Sequence, residues 1–391
     1  MTTMNNRNRH NILLYSGEYK NYSIQPFVVN NNFYYLTQID IPNLLIYFER
    51  NRTMIVNMNL VDSFHSQDEN NELLKKRFTR VDFVTKEELI THLRGRRKIR
   101  SLPNIRELTL PLRFETLAFE KRLSQLRLIK SFHEKKKIRV ACQIASRALA
   151  NTMKMIRPGM KVQEIVDFFR SELLKNGSRE YSFLPIVSQN RNNSILHYDR
   201  RKNTIQEGAF VLMDVGGKYE HYCSDITRTF PISGSFTDPQ KELYEIVLKT
   251  LKYAIGLVRP GLRWDALSKK VVKYLYTECL RIGIINTFSH NTFSVMKTLL
   301  PHSIGHSVGL DNHDVGDLRV LKENMVIAIE PGIYFTPESK NHPQINQEKL
   351  KRYYHLGGVR IEDTILVTKN GSKILSNVPK EIKEITRMLS N

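Results

Sequence analysis

Asp214 closes the apolar run Ala209-Phe-Val-Leu-Met213, and Asp225 lies eleven residues further on, inside Tyr222-Cys-Ser-Asp-Ile-Thr-Arg-Thr-Phe230. If the chain reverses between Gly216 and Glu220, the two runs pair as strands and the carboxylates come nearly opposite each other. Opposed Cβ atoms lie about 5 Å apart, so the like charges repel unless a cation sits between them. Two divalent ions at about 3.5–4 Å spacing would satisfy both. For the pair alone, a turn residue and one half of an ion pair are the competing readings.

A second group follows in Pro301-His302-Ser-Ile-Gly-His306 and Gly309-Leu-Asp-Asn-His313-Asp314. His-x-x-x-His is the spacing of a metalloprotease zinc helix, but the accompanying Glu is absent and Gly305 sits in mid-turn, so that motif is excluded. Glu330 closes Met325-Val-Ile-Ala-Ile329, and Glu362 lies within Val359-Arg-Ile-Glu-Asp-Thr-Ile-Leu-Val367. A carboxylate in such surroundings is costly to bury unpaired. For Glu362 a strand-face pair with Arg360 is the simpler reading, since side chains alternate with period two. Taken jointly, four carboxylates and one imidazole without a thiolate suit two Mn²⁺-, Co²⁺- or Fe²⁺-like ions better than a structural zinc.

The elements that must position these groups can be read around them. Ile138, Ala141, Ile144, Ala145, Ala148, Leu149 and Met153 recur at helical spacing over Glu134–Ile156, which Arg157-Pro158-Gly159 stops. A second helix is expected over Val162–Lys175. The same device returns as a helix over Pro239–Leu257, then Arg259-Pro260-Gly261, then a helix ending near Gly283. Strands are expected at Phe183–Val187, Ala209–Val215, Tyr222–Phe230, Met325–Ile329 and Val359–Thr368. Two helix-pair-plus-sheet halves are implied, an internal duplication. Before Pro111, Phe27–Val29, Asn32–Leu36 and Asn43–Phe48 read as short strands, with Asn30–Asn32 and Pro42 supplying the breaks between them, and Gln67–Lys76 as a surface loop entering a helix. The domain boundary is expected near residue 122, giving an α+β chain of two domains, 1–122 and 123–391.

These motifs together resemble the pita-bread metallopeptidases, the group of aminopeptidase P, prolidase and methionine aminopeptidase, over residues 122–380. The resemblance implies metal ligands at Asp214, Asp225, His306, Glu330 and Glu362, holding two divalent ions, Mn²⁺ first and Co²⁺, Fe²⁺ or Zn²⁺ as alternatives. His197 in Ile195-Leu-His-Tyr198 and His313 match the catalytic histidines, and Glu330 is implied as proton shuttle. His302, Arg360 and Tyr334 are implied at the substrate. Gly309–Asp314 and Glu330-Pro-Gly-Ile-Tyr334 look like the proline-specific branch, and Phe33–Thr37 resembles a segment of that branch's N-terminal domain, of the creatinase and aminopeptidase P type. Ser188-Gln189 and Asn324 depart from the pattern; Asn tolerates positive φ, so a turn at Asn324 can survive.

The implied activity is an Xaa-Pro aminopeptidase acting on peptides with proline in second position. An Xaa-Pro dipeptidase uses the same chemistry, and a non-catalytic pita-bread binding module is a third reading. The short segment Val315–Asn324 favours the aminopeptidase, while the prolidase-like insert Lys340–His355 could cover the peptide exit.

Composition sets the remaining bounds. Of 391 residues, 41% are hydrophobic and 25% charged, as in a soluble globular protein, and no apolar run reaches membrane-span length. Cys142, Cys223 and Cys279 cannot frame disulfides and suit a reducing compartment, the cytoplasm. Arg7 and Arg9, with no acid before Glu18, give a faint mitochondrial alternative. Net charge is +21, and Lys121–Arg157 holds eleven Lys or Arg against one acid, Glu134; Arg94, Arg96, Arg97, Lys98 and Arg100 form a second cluster. With no recognition helix, RNP strand or zinc finger beside it, this charge reads as a solvated face with at most non-specific affinity for nucleic acid. A homo-oligomer, dimer or tetramer, is expected.

Overall fold

The structure is a computed structural model, which describes residues 11–18, 28–49, 52–58, 67–96, 98–286 and 292–390. Arg7, Arg9, Phe27 and Arg97 of the sequence reading lie outside the described residues. The chain divides into two compact units, Met1–Arg127 and Leu128–Asn391.

The first unit is built on a six-stranded sheet ordered Val81–Phe83, Arg52–Asn57, Leu44–Glu49, Ile12–Tyr15, Ile99–Arg100 and Phe114–Glu115. Its central strands read Ile-Leu-Leu-Tyr and Leu-Leu-Ile-Tyr-Phe-Glu and are buried on both faces, which explains their unbroken apolar character. Leu13, Tyr15, Leu45, Tyr47, Met54 and Val56 pack on one face against Leu89 and Leu93. Two expectations fail here. Val28 and Val29 lie in irregular chain, and Asn32–Leu36 is not a strand but part of a helix, Asn31–Thr37. Asn30 is its N-cap, its side-chain oxygen accepting from the amides of Asn32 and Phe33 at 3.0 and 3.1 Å. The asparagine run that reads as a strand break is a helix start, and a short aromatic run cannot distinguish the two by periodicity. Gln67–Arg77 is helical throughout.

The second unit repeats one device. Helices Phe132–Met155 and Val162–Lys175 pack together, as do Asp238–Leu257 and Trp264–Arg281. The turns between them match: Gly159 and Gly261 both adopt φ +85°, a conformation that favours glycine. Gly159 donates its amide to the Ile205 carbonyl at 2.8 Å, and Gly261 donates to Leu321 at 2.9 Å. Met160 and Leu262 accept the return bonds from Ile205 and Leu321, both at 2.8 Å. Five residues after each partner begins a strand, Phe210–Val215 in one half and Val326–Ile329 in the other. Asp214 and Glu330 therefore hold equivalent places, each nine residues beyond the same backbone clasp.

Phe210–Val215 is the centre of an antiparallel sheet between Ile226–Pro231 and Ile186–Gln189. Val326–Ile329 lies between Gly305–Ser307 and Asp363–Thr368, with Gly371–Ile374 at the edge. Two long expected strands are broken. Tyr222–Phe230 divides into Tyr222–Cys223 and Ile226–Pro231, and Val359–Thr368 into Gly358–Arg360 and Asp363–Thr368. Asp225 and Glu362 occupy those breaks. The reversal after Asp214 comes at Glu220 and His221, both at positive φ, within a ribbon pairing Lys218–Tyr219 with Tyr222–Cys223. Asn324, expected to tolerate positive φ, has φ +70° and accepts from Lys135 Nζ at 2.5 Å.

Candidate metal centre and catalytic cavity

The strand register sets where the first two carboxylates go. Asp214 pairs with Thr227, not with Asp225, so the two Asp side chains are diagonal neighbours on one face instead of directly opposed. Asp225 is fixed from behind by Thr364, whose hydroxyl donates to the Asp225 carbonyl at 2.7 Å and accepts its amide at 3.2 Å. Glu362 does not pair with Arg360. Its Oε2 accepts from the Thr227 hydroxyl at 2.7 Å, while Arg360 Nη2 donates to Asp214 Oδ2 at 2.7 Å. The broken strand is the reason, since Ile361 and Glu362 leave the ladder and turn the carboxylate toward Asp225.

His306 is delivered by the short strand Gly305–Ser307. That strand lies so close to its neighbour that a Cβ on Gly305 would sit 2.0 Å from the Ala328 carbonyl oxygen. His306 Nδ1 donates to the Ser307 carbonyl at 3.0 Å, which leaves Nε2 as the lone-pair nitrogen. Nε2 lies 3.4 Å from Asp225 Oδ2 and 3.6 Å from Glu330 Oε1. Ligand atoms of Asp225, His306 and Glu362 all lie within 4.8 Å of one another.

The buried carboxylates of the cluster must either hold a proton or meet a cation. Burial, then the charges of Asp214 and Glu330, push Asp225 well above the carboxylate range. Burial, then Asp225 and Asp214, do the same to Glu362. Glu330 is raised to about 7 by burial, with His306 and Arg360 opposing and Asp214 adding. Oδ1 of Asp214 and Oδ1 of Asp225 are buried with no protein partner. Buried carboxylate oxygens left this way cost several kcal/mol in the ionised state unless a cation meets them. Hard divalent ions fit this donor set. No thiolate competes, since burial pushes the Cys142 thiol up to about 12.

Around the cluster lies a cavity of about 700 Å³, walled by Phe183, Leu184 and Leu196 and reached by His197, His302 and His313. His313 stacks on His306 with ring centroids 3.9 Å apart. Desolvation and the neighbouring His306 pull His313 below the usual imidazole range. His302 is brought down to about 4 by burial and then Arg360. It donates from Nδ1 to the Ser303 carbonyl at 2.7 Å and accepts the Tyr334 hydroxyl at Nε2, 2.8 Å away. Tyr334 also accepts from Arg360 Nη1 at 2.9 Å. Tyr334 is wholly buried and is not among the residues that line the cavity, so its hydroxyl braces His302 and Arg360 from behind the wall.

Three contributors escaped the sequence reading: the threonines Thr227 and Thr364, the wall Phe183–Ile186, and Arg201. The threonines had a signal, because Thr227 in Asp225-Ile-Thr227 and Thr364 in Glu362-Asp-Thr364 each stand two residues from a carboxylate. The wall and Arg201 had none: Phe183–Pro185, expected within a strand, and Arg201 sit on loop and turn segments, and the strand begins only at Ile186.

Residues 136–369 match metallopeptidase family M24. The chain is 34% identical over 300 residues to a probable Xaa-Pro aminopeptidase of Neosartorya fischeri, covering 68% of this chain and 64% of that protein. A probable Xaa-Pro aminopeptidase of Aspergillus fumigatus is 32% identical over 69% of the chain and 64% of its own length. The matches thus span less than two thirds of these curated relatives. Among solved structures, aminopeptidase PepP of Pseudomonas aeruginosa superposes with a TM-score of 0.81 at 25% identity, over 97% of this chain and 94% of that one. An Escherichia coli aminopeptidase P variant in complex with substrate gives 0.82 at 26% identity, over 98% and 95%.

Proposed function

The chain belongs to metallopeptidase family M24, and from that premise we propose that it is a metal-dependent Xaa-Pro aminopeptidase, releasing the first residue of peptides whose second residue is proline. The observation that carries the reading is the convergence of Asp225, His306 and Glu362 ligand atoms within 4.8 Å, beside two buried carboxylate oxygens that no protein group satisfies.

Asp214, Asp225, His306, Glu330 and Glu362 would hold two divalent ions. Those ions would supply Lewis acidity toward a water and the scissile carbonyl. The protein's own groups do the rest. Glu330, whose carboxyl burial lifts to about 7, takes a proton at Oε and passes it to the leaving nitrogen. That nitrogen belongs to proline, which has no N–H within the chain and gains one only on cleavage. His313 and His197 line the cavity where charge builds on the carbonyl oxygen and serve as its donors. His302 and Arg360 hold the wall at the prolyl side, fixed in orientation by Tyr334. Manganese as the metal, a cytoplasmic location and a homo-oligomeric state belong to the same proposal.

The choice of aminopeptidase over dipeptidase is supported by the insert. None of residues 340–356 lines the cavity. Tyr353 and Arg352 instead turn to Glu242 on the helix Asp238–Leu257. One observation favours the dipeptidase: Arg201 lines the cavity, donating from Nη2 to the Pro185 carbonyl at 2.5 Å while its Nη1 has no protein partner. A free prolyl carboxylate would suit it. Incubation with an Xaa-Pro-Yaa tripeptide and the matched Xaa-Pro dipeptide, with free Xaa followed by mass spectrometry, separates the two. Cleavage of the dipeptide alone would assign the second reading.

A further inference from the structure

Lys130 and Asp314 form an ion pair at 2.7 Å with both side chains 1% exposed, the most completely dehydrated Lys–carboxylate pair among the described residues. Breaking such a pair is strongly destabilising, and hydrophobic replacements of the whole pair are often neutral, so its presence is not explained by stability alone. Its location suggests what else it does. Asp314 directly follows His313, at the end of the loop Gly309–Asp314.

That loop is held at every turn by something rigid. Asp314 donates its amide to the Ser307 carbonyl at 2.9 Å, and the Ser307 hydroxyl donates to the Asp314 carbonyl at 2.5 Å. Gly309 accepts from the Cys223 amide at 2.7 Å and donates to the Asp311 carbonyl at 3.0 Å. The Asp314 carboxylate folds back over Gly309 so tightly that a Cβ there would lie 2.1 Å from Oδ2 and 3.0 Å from Lys130 Nζ. Lys130 itself cannot drift, because its amide donates to the Asn324 carbonyl at 2.9 Å and Ser131 caps the helix that follows. The pair therefore ties a fixed helix start to the residue next to His313.

We propose that Lys130 is a positioning residue for His313: by clamping Asp314 it sets the height and tilt at which the His313 ring stacks on His306 and faces the cavity. The proposal rests on the reading of His313 as a donor to the scissile carbonyl oxygen. Lys130, Asp314 and His313 are not themselves among the proposed metal ligands, so cutting the clamp should leave metal binding unchanged.

The test is a cycle on turnover of an Xaa-Pro-Yaa tripeptide by the metal-loaded enzyme, using Lys130→Met, His313→Ala and both together. The expected result is a fall in kcat of about 10–10²-fold for Lys130→Met, the scale of a misplacement near 1 Å, with KM within about threefold. In the His313→Ala background the same change costs nothing further, because there is no ring left to position. Lys130→Met/Asp314→Asn removes both buried charges, so folding does not carry a lone carboxylate, and it should behave like Lys130→Met. A second readout is independent of activity: the rate at which diethylpyrocarbonate modifies the exposed His313 ring, mapped by mass spectrometry, should change several-fold in the clamp variants and not at His133, an exposed histidine on the helix Phe132–Met155. If the wild type cleaves no Xaa-Pro peptide, the function falls and the labelling rate still decides the clamp. Wild-type kcat and labelling, an equal loss with and without His313, or loss of bound metal in the clamp variants would each overturn the proposal.

Discussion

Arg360 donates to one carboxylate oxygen of Asp214 at 2.7 Å and leaves the other buried with no protein partner. One side chain of the carboxylate cluster is thus divided between a permanent cation of the protein and a position open to an added one. The same guanidinium reaches Tyr334, which reaches His302, so the carboxylate cluster and His302 share a single charged brace.

Replacing that brace separates binding from turnover. Arg360→Met should still bind metal, with kcat/KM lowered about 10–10²-fold, the worth of one or two charge-assisted hydrogen bonds. Metal titration beside steady-state kinetics checks it; unchanged kcat/KM would remove Arg360 from the site.

Thr227→Val should weaken the metal, not the fold. The Thr227 hydroxyl orients Glu362, and losing such a support typically costs about 10–100-fold in metal affinity. Competition with a fluorescent chelator reads the change directly, and an affinity equal to wild type would mean that Glu362 needs no orienting partner.

Behind Glu362, Arg228 is wholly buried and pairs with Asp363 at 2.8 Å, with Lys380 on the other oxygen at 2.7 Å. Burial alone would raise Asp363, but Arg228 and then Lys380 outweigh it and hold the carboxyl below its usual range. A depressed folded-state pKa contributes stability above the unfolded value and loses it as pH falls through the folded one. Arg228→Met should cost about 3–5 kcal/mol at neutral pH and move acid unfolding to higher pH. Chemical denaturation at pH 7 and an acid titration followed by circular dichroism measure both; an unshifted acid midpoint would contradict the assignment.

The dipeptidase reading makes its own demand. If Arg201 holds a free prolyl carboxylate, Arg201→Gln should raise KM for an Xaa-Pro dipeptide at least about tenfold while sparing longer peptides. We expect instead that tripeptide and longer substrates dominate and that the variant leaves their KM within about threefold.

The four carboxylates of the cluster were legible because each closes or interrupts an apolar strand, where an unpaired carboxylate is expensive, and because the Arg-Pro-Gly turns mark the two halves. The geometry between them was less so. Pairing Asp214 with Asp225, and Arg360 with Glu362, assumed unbroken strands, whereas the ladder fails at Asp225 and again at Ile361–Glu362. The threonines decide this: Thr227, Thr229 and Thr364 bridge the two sheets through hydroxyls, a contact between segments some 130 residues apart that no local pattern encodes. Asn30 misled for the opposite reason, since a cap and a turn draw on the same residue types. Lys130 was invisible except as one member of a basic run, several exposed members of which, Lys136, Arg139, Arg147, Lys154 and Arg157, lie on the solvent side of the helix Phe132–Met155 or just beyond it.

The central claim, metal-dependent release of a residue ahead of proline, meets its most direct test in one tripeptide. Strip the protein with chelator, confirm the loss of metal, add an Xaa-Pro-Yaa peptide, and follow free Xaa by mass spectrometry before and after Mn²⁺ is restored; run Asp225→Asn in parallel. The account predicts no release without metal, release of Xaa and Pro-Yaa on re-addition, and no recovery in the variant despite an intact fold. Full hydrolysis by the stripped protein, or by Asp225→Asn, would contradict it.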